Sequence, residues 1–285
     1  MKGSQRYKLI CSYDGTNFHG WAKQIGLRTV QSTIETALVR LLAPAFVDTN
    51  AFFVSTPIAT SQLEAKSFVV PIVVGGRTDT GVHAESQVFH LDLIENQQAK
   101  LLGRGYSDVN LALMGRLNGL LPSDVRIHDC ESISNEFHAR YSAIKREYRY
   151  CIIDNTGIKS ALMYRYAYFF RGIADLDLMN RVSQEFIGTH DFSTFIKNRP
   201  GSGNVRNLLE FNWTKNSSGA IRATLIADAF GHNMVRSLVG SMLFVGSNRR
   251  TPKWLLSQFN SRQRVGETGP IAAKGLTLHK IYYAD

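Results

Sequence analysis

A chain of 285 residues with 33 Lys and Arg against 23 Asp and Glu can bury a sizeable core in one large or two ordinary domains, and its net charge of +10 suits a polyanionic partner such as nucleic acid, although a merely soluble basic surface has the same composition. Three well-separated cysteines, Cys11, Cys130 and Cys151, include no Cys-x-x-Cys; this argues against a disulfide framework or a zinc site and fits a reducing compartment. The N-terminal residues carry no apolar signal core and no stretch is long enough to span a membrane, so a soluble intracellular protein is expected, in which the sequons at Asn212 and Asn216 have no meaning.

Tyr7, Leu9, Cys11 and Tyr13 alternate with Lys8, Ile10 and Ser12, which predicts a first strand ending at the turn Asp14-Gly15-Thr16. A phosphatase-type nucleophile motif would need a second Asp where Ser12 stands, so that match fails. Phe18, His19, Gly20, Trp21, Lys23 and Gln24 then mix rings with basic and amide groups, as a base-stacking loop does, or as a loop pinned by Trp21 does. Val30, Ile34, Ala37, Leu38, Leu41 and Leu42 recur at helical spacing behind Thr29 as N-cap. Residues 43–66 lose this pattern and read as an insertion or long loop.

The apolar run 68–74 and the alternating run 87–93 predict two strands around the loop Gly75-Gly76-Arg77-Thr78-Asp79-Thr80-Gly81-Val82-His83-Ala84. The loop holds one carboxylate, Asp79, two positions after a guanidinium, Arg77. From these residues alone Asp79 is either a chemical group or a cap for local backbone N–H groups, with Arg77 its solvated neighbour.

A helix is predicted from about 109 to 121, stopping at Pro122, followed by a strand at Val125-Arg126-Ile127 and a polar hinge near 131–136. The second half then opens with Phe137-His138-Ala139-Arg140-Tyr141-Ser142-Ala143. Arg140, Lys145, Arg146 and Arg149 interleave with Tyr141, Tyr148 and Tyr150 in the densest basic-aromatic cluster of the chain. In a strand, Tyr148 and Tyr150 share one face and Arg149 takes the other. A helix over 176–187 leads into a loop with Lys197, Arg199 and Gly201-Ser202-Gly203. Strands are expected at 207–213 and 220–227. The next helix opens at Phe230-Gly231-His232-Asn233-Met234-Val235-Arg236, with Arg236 off its apolar stripe and directed back to the preceding strand end. A short helix from Thr251-Pro252 and a last strand to Tyr283 complete the order. This order implies an α+β fold of two similar halves, 1–136 and 137–285, each a mostly antiparallel sheet with helices on one face and a basic active-site cleft between them.

Several of these separated motifs together resemble the TruA family of tRNA pseudouridine synthases. They are Tyr13-Asp14-Gly15-Thr16 with Gly20-Trp21, Gly76-Arg77-Thr78-Asp79-x-Gly81-Val82-His83-Ala84, and Phe137-His138-Ala139-Arg140-x-Ser142-Ala143 with Tyr148-Arg149-Tyr150. Asp191-Phe192-x-x-Phe195, Phe230-x-x-x-Met234-Val235-Arg236 and Gly275-Leu276-x-Leu278 complete the set, in family order from about residue 7 to 283. Two departures are the long segment before Arg77 and Ala22 where a Gln is common.

The resemblance implies isomerisation of uridine to pseudouridine in the anticodon stem-loop of tRNA (positions 38 to 40), without cofactor or metal, by a cytoplasmic homodimer that binds neither DNA nor membrane. It makes Asp79 the nucleophile, Tyr148 a contact to the base, Arg236 the cation that keeps Asp79 ionised, and Arg77 a holder of phosphate or of the space left by an extruded base. Two rivals are a non-catalytic tRNA chaperone on the same scaffold and a hydrolase using Asp79 with His83 or His90.

Overall fold

The computed structural model describes residues 3–43, 69–103, 105–197, 203–263 and 266–284. Nearly all of the expected insertion at 43–66, and Arg199, Gly201 and Ser202 of the later loop, lie outside them. The chain is α+β with mostly antiparallel strands and forms two compact units, residues 1–143 with 283–285 and residues 144–282. Residues 137–142 therefore pack with the first unit, whereas the sequence order alone opened the second half there.

In the first unit, β1 (Ser4–Tyr13) buries Tyr7, Leu9, Cys11 and Tyr13, as the alternation requires. Helix α1 (Val30–Leu42) starts at Thr29, which accepts from the Ser32 N–H, and it buries Val30, Ile34, Ala37, Leu38 and Leu42. The apolar run before the loop yields only β2 (Val73–Val74). Pro71 offers no N–H to a ladder and Val69 is exposed, so the run is apolar without being a full strand. β3 (His83–Ile94) runs antiparallel to β1, pairing Leu9 with Phe89 and Cys11 with Gln87. It leads directly into α2 (Glu95–Leu101), a helix with no sequence signal: it has no side-chain N-cap, and at seven residues it buries only Leu101.

Helix α3 (Val109–Leu120) is capped by Asp108 and inserts Leu113 and Leu117. β4 (Val125–Ile133) then pairs with β1 on its other side, giving the order β4-β1-β3 with β2 on β3. The polar stretch expected as a hinge is thus partly strand. Lys8 faces Glu131 in register, and its Nζ lies 2.6 Å from Oε1. The three helices pack on one another and on β3 and β4.

The second unit contains β5 (Ala143–Ile153), β6 (Tyr168–Phe169), α4 (Leu176–Ser183), β7 (Gly188–Asp191), β8 (Val205–Lys215), β9 (Ala220–Ala227), α5 (Met234–Gly246), α6 (Pro252–Ser261) and β10 (Leu276–Tyr283). Its strands follow the order β10-β5-β9-β8-β7, with β6 parallel to the end of β5. β7, expected as loop, is a four-residue strand held by β8; its start at a left-handed Gly188 hides it from pattern reading. Helix α4 packs on β8 and α5, and α5 on α6. Phe192 and Phe195 are fully buried, and both their rings meet that of Phe259. That motif is core. Burial is the largest cause holding all three thiols above their ordinary range, Cys130 at about 12, but only Cys11 is a core residue; Cys130 and Cys151 are half-buried. Among the described residues no helix is long and apolar enough to cross a membrane.

Candidate active site

Asp79 sits half-buried in a loop that has almost no ladder of its own and is fixed by residues far away in sequence. The Gly75 N–H donates to the Val88 carbonyl at 2.8 Å, ending the pairing of β2 with β3. The Trp21 N–H donates to the Thr78 carbonyl at 3.1 Å and the Gly81 N–H to the Phe18 carbonyl at 3.2 Å, so one segment clasps the loop on both sides of Asp79. The Val82 N–H donates to the Asp79 carbonyl at 3.1 Å, closing a turn through Gly81, whose φ of 76° suits glycine. Buried side chains add a second layer. The Tyr13 hydroxyl shares a hydrogen bond of 2.7 Å with Thr78 Oγ1, and Gln87 Nε2 donates to the Gly76 carbonyl at 2.6 Å and to the Tyr13 hydroxyl at 3.3 Å.

Two glycines permit the close approach. A Cβ at Gly20, where φ is 84°, would lie 2.7 Å from the Thr78 carbonyl oxygen, and one at Gly15 would overlap the Val82 carbonyl. Phe18 and Trp21 are each 1% exposed, and Trp21 packs between Tyr13 and Phe89 with centroids 5.9 and 6.0 Å away. Burying Phe18 alone stabilises the clasp by roughly 2 kcal/mol. Of the two readings of this aromatic loop, the structure supports the pinned one: its rings are spent on holding Asp79. Arg77 projects into solvent beside it.

His83 and His90 are both structural. His83 Nδ1 lies 3.0 Å from the Gly15 N–H, which donates to it, and 3.2 Å from the Asp14 carboxylate. His90 Nδ1 accepts from the Ala139 N–H at 3.1 Å, and burial, then Arg6 and His138, pull its pKa down to about 4. Each imidazole thus spends its acceptor on backbone, which removes the support for a hydrolase dyad.

Tyr148 and Arg236 lie in the second unit. Tyr148, 8% exposed, pairs in register with Leu225 on β9 and meets the Phe230 ring edge-on at 5.1 Å. Phe230 belongs to the segment that leaves β9 and enters α5, so the strand that registers Tyr148 also delivers the ring against it. That same segment turns through Asn233 at φ 66° and places Arg236 in the first turn of α5. Arg236 Nε donates to the Ile271 carbonyl at 2.7 Å and Nη1 to Asn233 Oδ1 at 3.3 Å. The stretch after α6 thus holds its guanidinium, and Ile271 itself lies against α5 at Gly240.

The basic cluster around β5 is only partly solvated. Arg149 Nε donates to Glu147 Oε1 at 2.9 Å, Arg146 Nη1 to the Asp228 carbonyl at 2.7 Å, and Lys145 Nζ lies 4.6 Å from the Tyr282 ring centroid. Burial opposes the charge on Glu147, and the Tyr282 hydroxyl, His279 and Arg149 outweigh it, holding that carboxyl below its ordinary range. Tyr150 is fully buried and donates to the Ala272 carbonyl at 2.6 Å. Tyr13, Gln87 and Phe230 carry no chemistry and escaped the reading of single motifs; the motifs containing Tyr13 and Phe230 were the available signal.

A family model described as tRNA pseudouridine synthase matches residues 182–284. The chain is 37% identical over 299 residues to tRNA pseudouridine synthase A of Bifidobacterium longum, covering 98% of this chain and 93% of that protein. It is 37% identical over 282 residues to the Streptomyces avermitilis protein of the same name, covering 99% and 89%. With the Cutibacterium acnes protein of that name the identity is 34% over 280 residues, covering 98% and 88%.

Proposed function

The chain belongs to the TruA family of tRNA pseudouridine synthases, and on that premise we propose which of its residues carry the isomerisation and where on the tRNA it occurs. In this reaction the bond from the ribose C1′ to uracil N1 breaks and a bond from C1′ to C5 forms, while C5 gives up a proton and N1 gains one. Asp79 is the nucleophile, Tyr148 stacks on the extruded uracil, Arg236 supplies the cation that keeps Asp79 ionised, and Arg77 holds phosphate or the gap left by the flipped base. A phenol with a pKa near ~10 is a weak base at neutral pH, so the role assigned to Tyr148 here is contact with the base.

The observation that carries this reading is the clasp around Thr78 and Asp79. Backbone from Phe18 and Trp21, the Tyr13 hydroxyl and the Gln87 amide all converge on one short loop whose single carboxylate is Asp79. Pre-positioning of this kind is what a nucleophile requires and a solvated turn does not. The substrate uridines lie in the anticodon stem-loop, the enzyme works in the cytoplasm, and two copies act together; these three points rest on the family alone.

Release of tritium from C5-labelled uridine in tRNA tests the proposal. Wild type is expected to release it, and Asp79→Asn to lose roughly a thousandfold or more while still binding tRNA. An active Asp79→Asn variant overturns the nucleophile assignment. Failure of the wild type on every tRNA favours a chaperone.

A further inference from the structure

The turn at residues 137–142 is held more firmly than a connection between two strands needs. Arg6 Nη1 donates to the Phe137 carbonyl at 2.6 Å. The Ala139 N–H donates to His90 Nδ1, and the Tyr283 hydroxyl donates to the Ala139 carbonyl at 2.7 Å. The Ser142 N–H donates to the His138 carbonyl at 2.8 Å, and the His138 N–H returns a bond to Ser142 Oγ at 2.9 Å. His138 Nδ1 accepts from the Arg140 and Tyr141 N–H groups, each at 3.2 Å. At the tip of this turn Tyr141 is 76% exposed. The His138 ring lies 4.4 Å from it at 31°, and the Arg140 guanidinium lies 5.6 Å from its centroid.

An aromatic ring in solvent normally samples several rotamers at little cost. Here the backbone beneath it is locked and a second ring supports it, so the entropy of ordering is largely met before any ligand arrives. A flat, accessible ring beside a cation, on a chain of net charge +10, matches a nucleobase attached to a phosphate backbone. Resting on the reading that the substrate is tRNA, we propose that Tyr141 is a stacking platform for an unpaired tRNA base other than the reacting uridine, with His138 as its rigid backing. It differs in kind from Tyr148, which is buried. Tyr141 therefore acts on affinity and positioning.

The test uses the full chain with Tyr141→Ala, Tyr141→Phe and Arg140→Gln, measuring tRNA affinity by filter binding across a salt series alongside KM and kcat for tritium release. Tyr141→Ala is expected to weaken tRNA binding about tenfold, with the loss in KM, the salt slope unchanged and the melting temperature near wild type. Tyr141→Phe keeps the ring and is expected to restore binding. Arg140→Gln instead lowers the salt slope by about one. Wild-type affinity in Tyr141→Ala overturns the proposal, as does an equal loss in Tyr141→Phe, which would assign the effect to the hydroxyl. A change in sedimentation coefficient with Tyr141→Ala also overturns it, since the ring would then face a second copy of the chain. If wild type releases no tritium the enzymatic reading fails separately, because filter binding still reads the stacking.

Discussion

The Asp79 loop and the Tyr148–Arg236 region position their side chains by opposite means. Tyr148 owes its place to the register of β5 against β9, and Arg236 to the first turn of α5; many repeated hydrogen bonds share the task. Asp79 owes its place to a few long-range ties and to two glycines that let backbone touch backbone. The first arrangement tolerates local damage. The second concentrates it, so a change far from the carboxylate in sequence should displace the carboxylate itself.

Gly15→Ala should produce the largest effect, because the new methyl has nowhere to go but into the Val82 carbonyl. A stability cost of about 3 kcal/mol is expected. Tritium release should fall about a hundredfold through misplacement alone. Calorimetry and the tritium assay read both, and unchanged activity would break the contrast. Gln87→Leu should come next. It strips the donor from the buried Gly76 carbonyl and the Tyr13 hydroxyl, at a cost of about 1–3 kcal/mol with a smaller loss of kcat. The matched change in the other region, Phe230→Leu, removes one edge-on ring contact worth about 1 kcal/mol and leaves the strand register in place.

An effect of a different kind is expected with pH. An unfolded histidine titrates near 6.5, while folded His90 does so at about 4. Between those values the unfolded chain holds a proton that the native state refuses, so the first unit should lose stability as pH falls from 6.5 towards 4. The second unit holds depressed carboxyls at Glu147, Asp154 and Asp191, whose contribution is present above the ordinary carboxylate range and is lost only as pH falls below it. Amide exchange at pH 7 and pH 5 should therefore show the first unit loosening first. Equal loosening of both units would remove this distinction.

The same contrast explains what could be read from the chain. β1, α1 and β9 follow their apolar periods, because each buries one face against a continuous core. Asp79 stood out through the glycines and Arg77 around it, yet nothing local separated a nucleophile from a capped turn. The ties that fix the loop come from Tyr13, Trp21 and Gln87, which lie in β1, a loop and β3 and meet only in three dimensions. Helix α2 and strand β7 were invisible for a different reason: seven and four residues are too few to express a period. Arg236 bonds the Ile271 carbonyl, a backbone group, and backbone leaves no trace in a residue pattern.

Tyr283 has one more implication, for the order of events during synthesis. It lies at the end of β10, yet it belongs with residues 1–143: its hydroxyl bonds the Ala139 carbonyl and its ring packs on Phe137 at 5.0 Å. Residues 1–143 are therefore made well before a residue that their unit needs, Tyr283. Until residue 283 emerges, the turn that presents Tyr141 lacks one of its fastenings, and the nascent first unit remains unfinished however long it has been outside the tunnel.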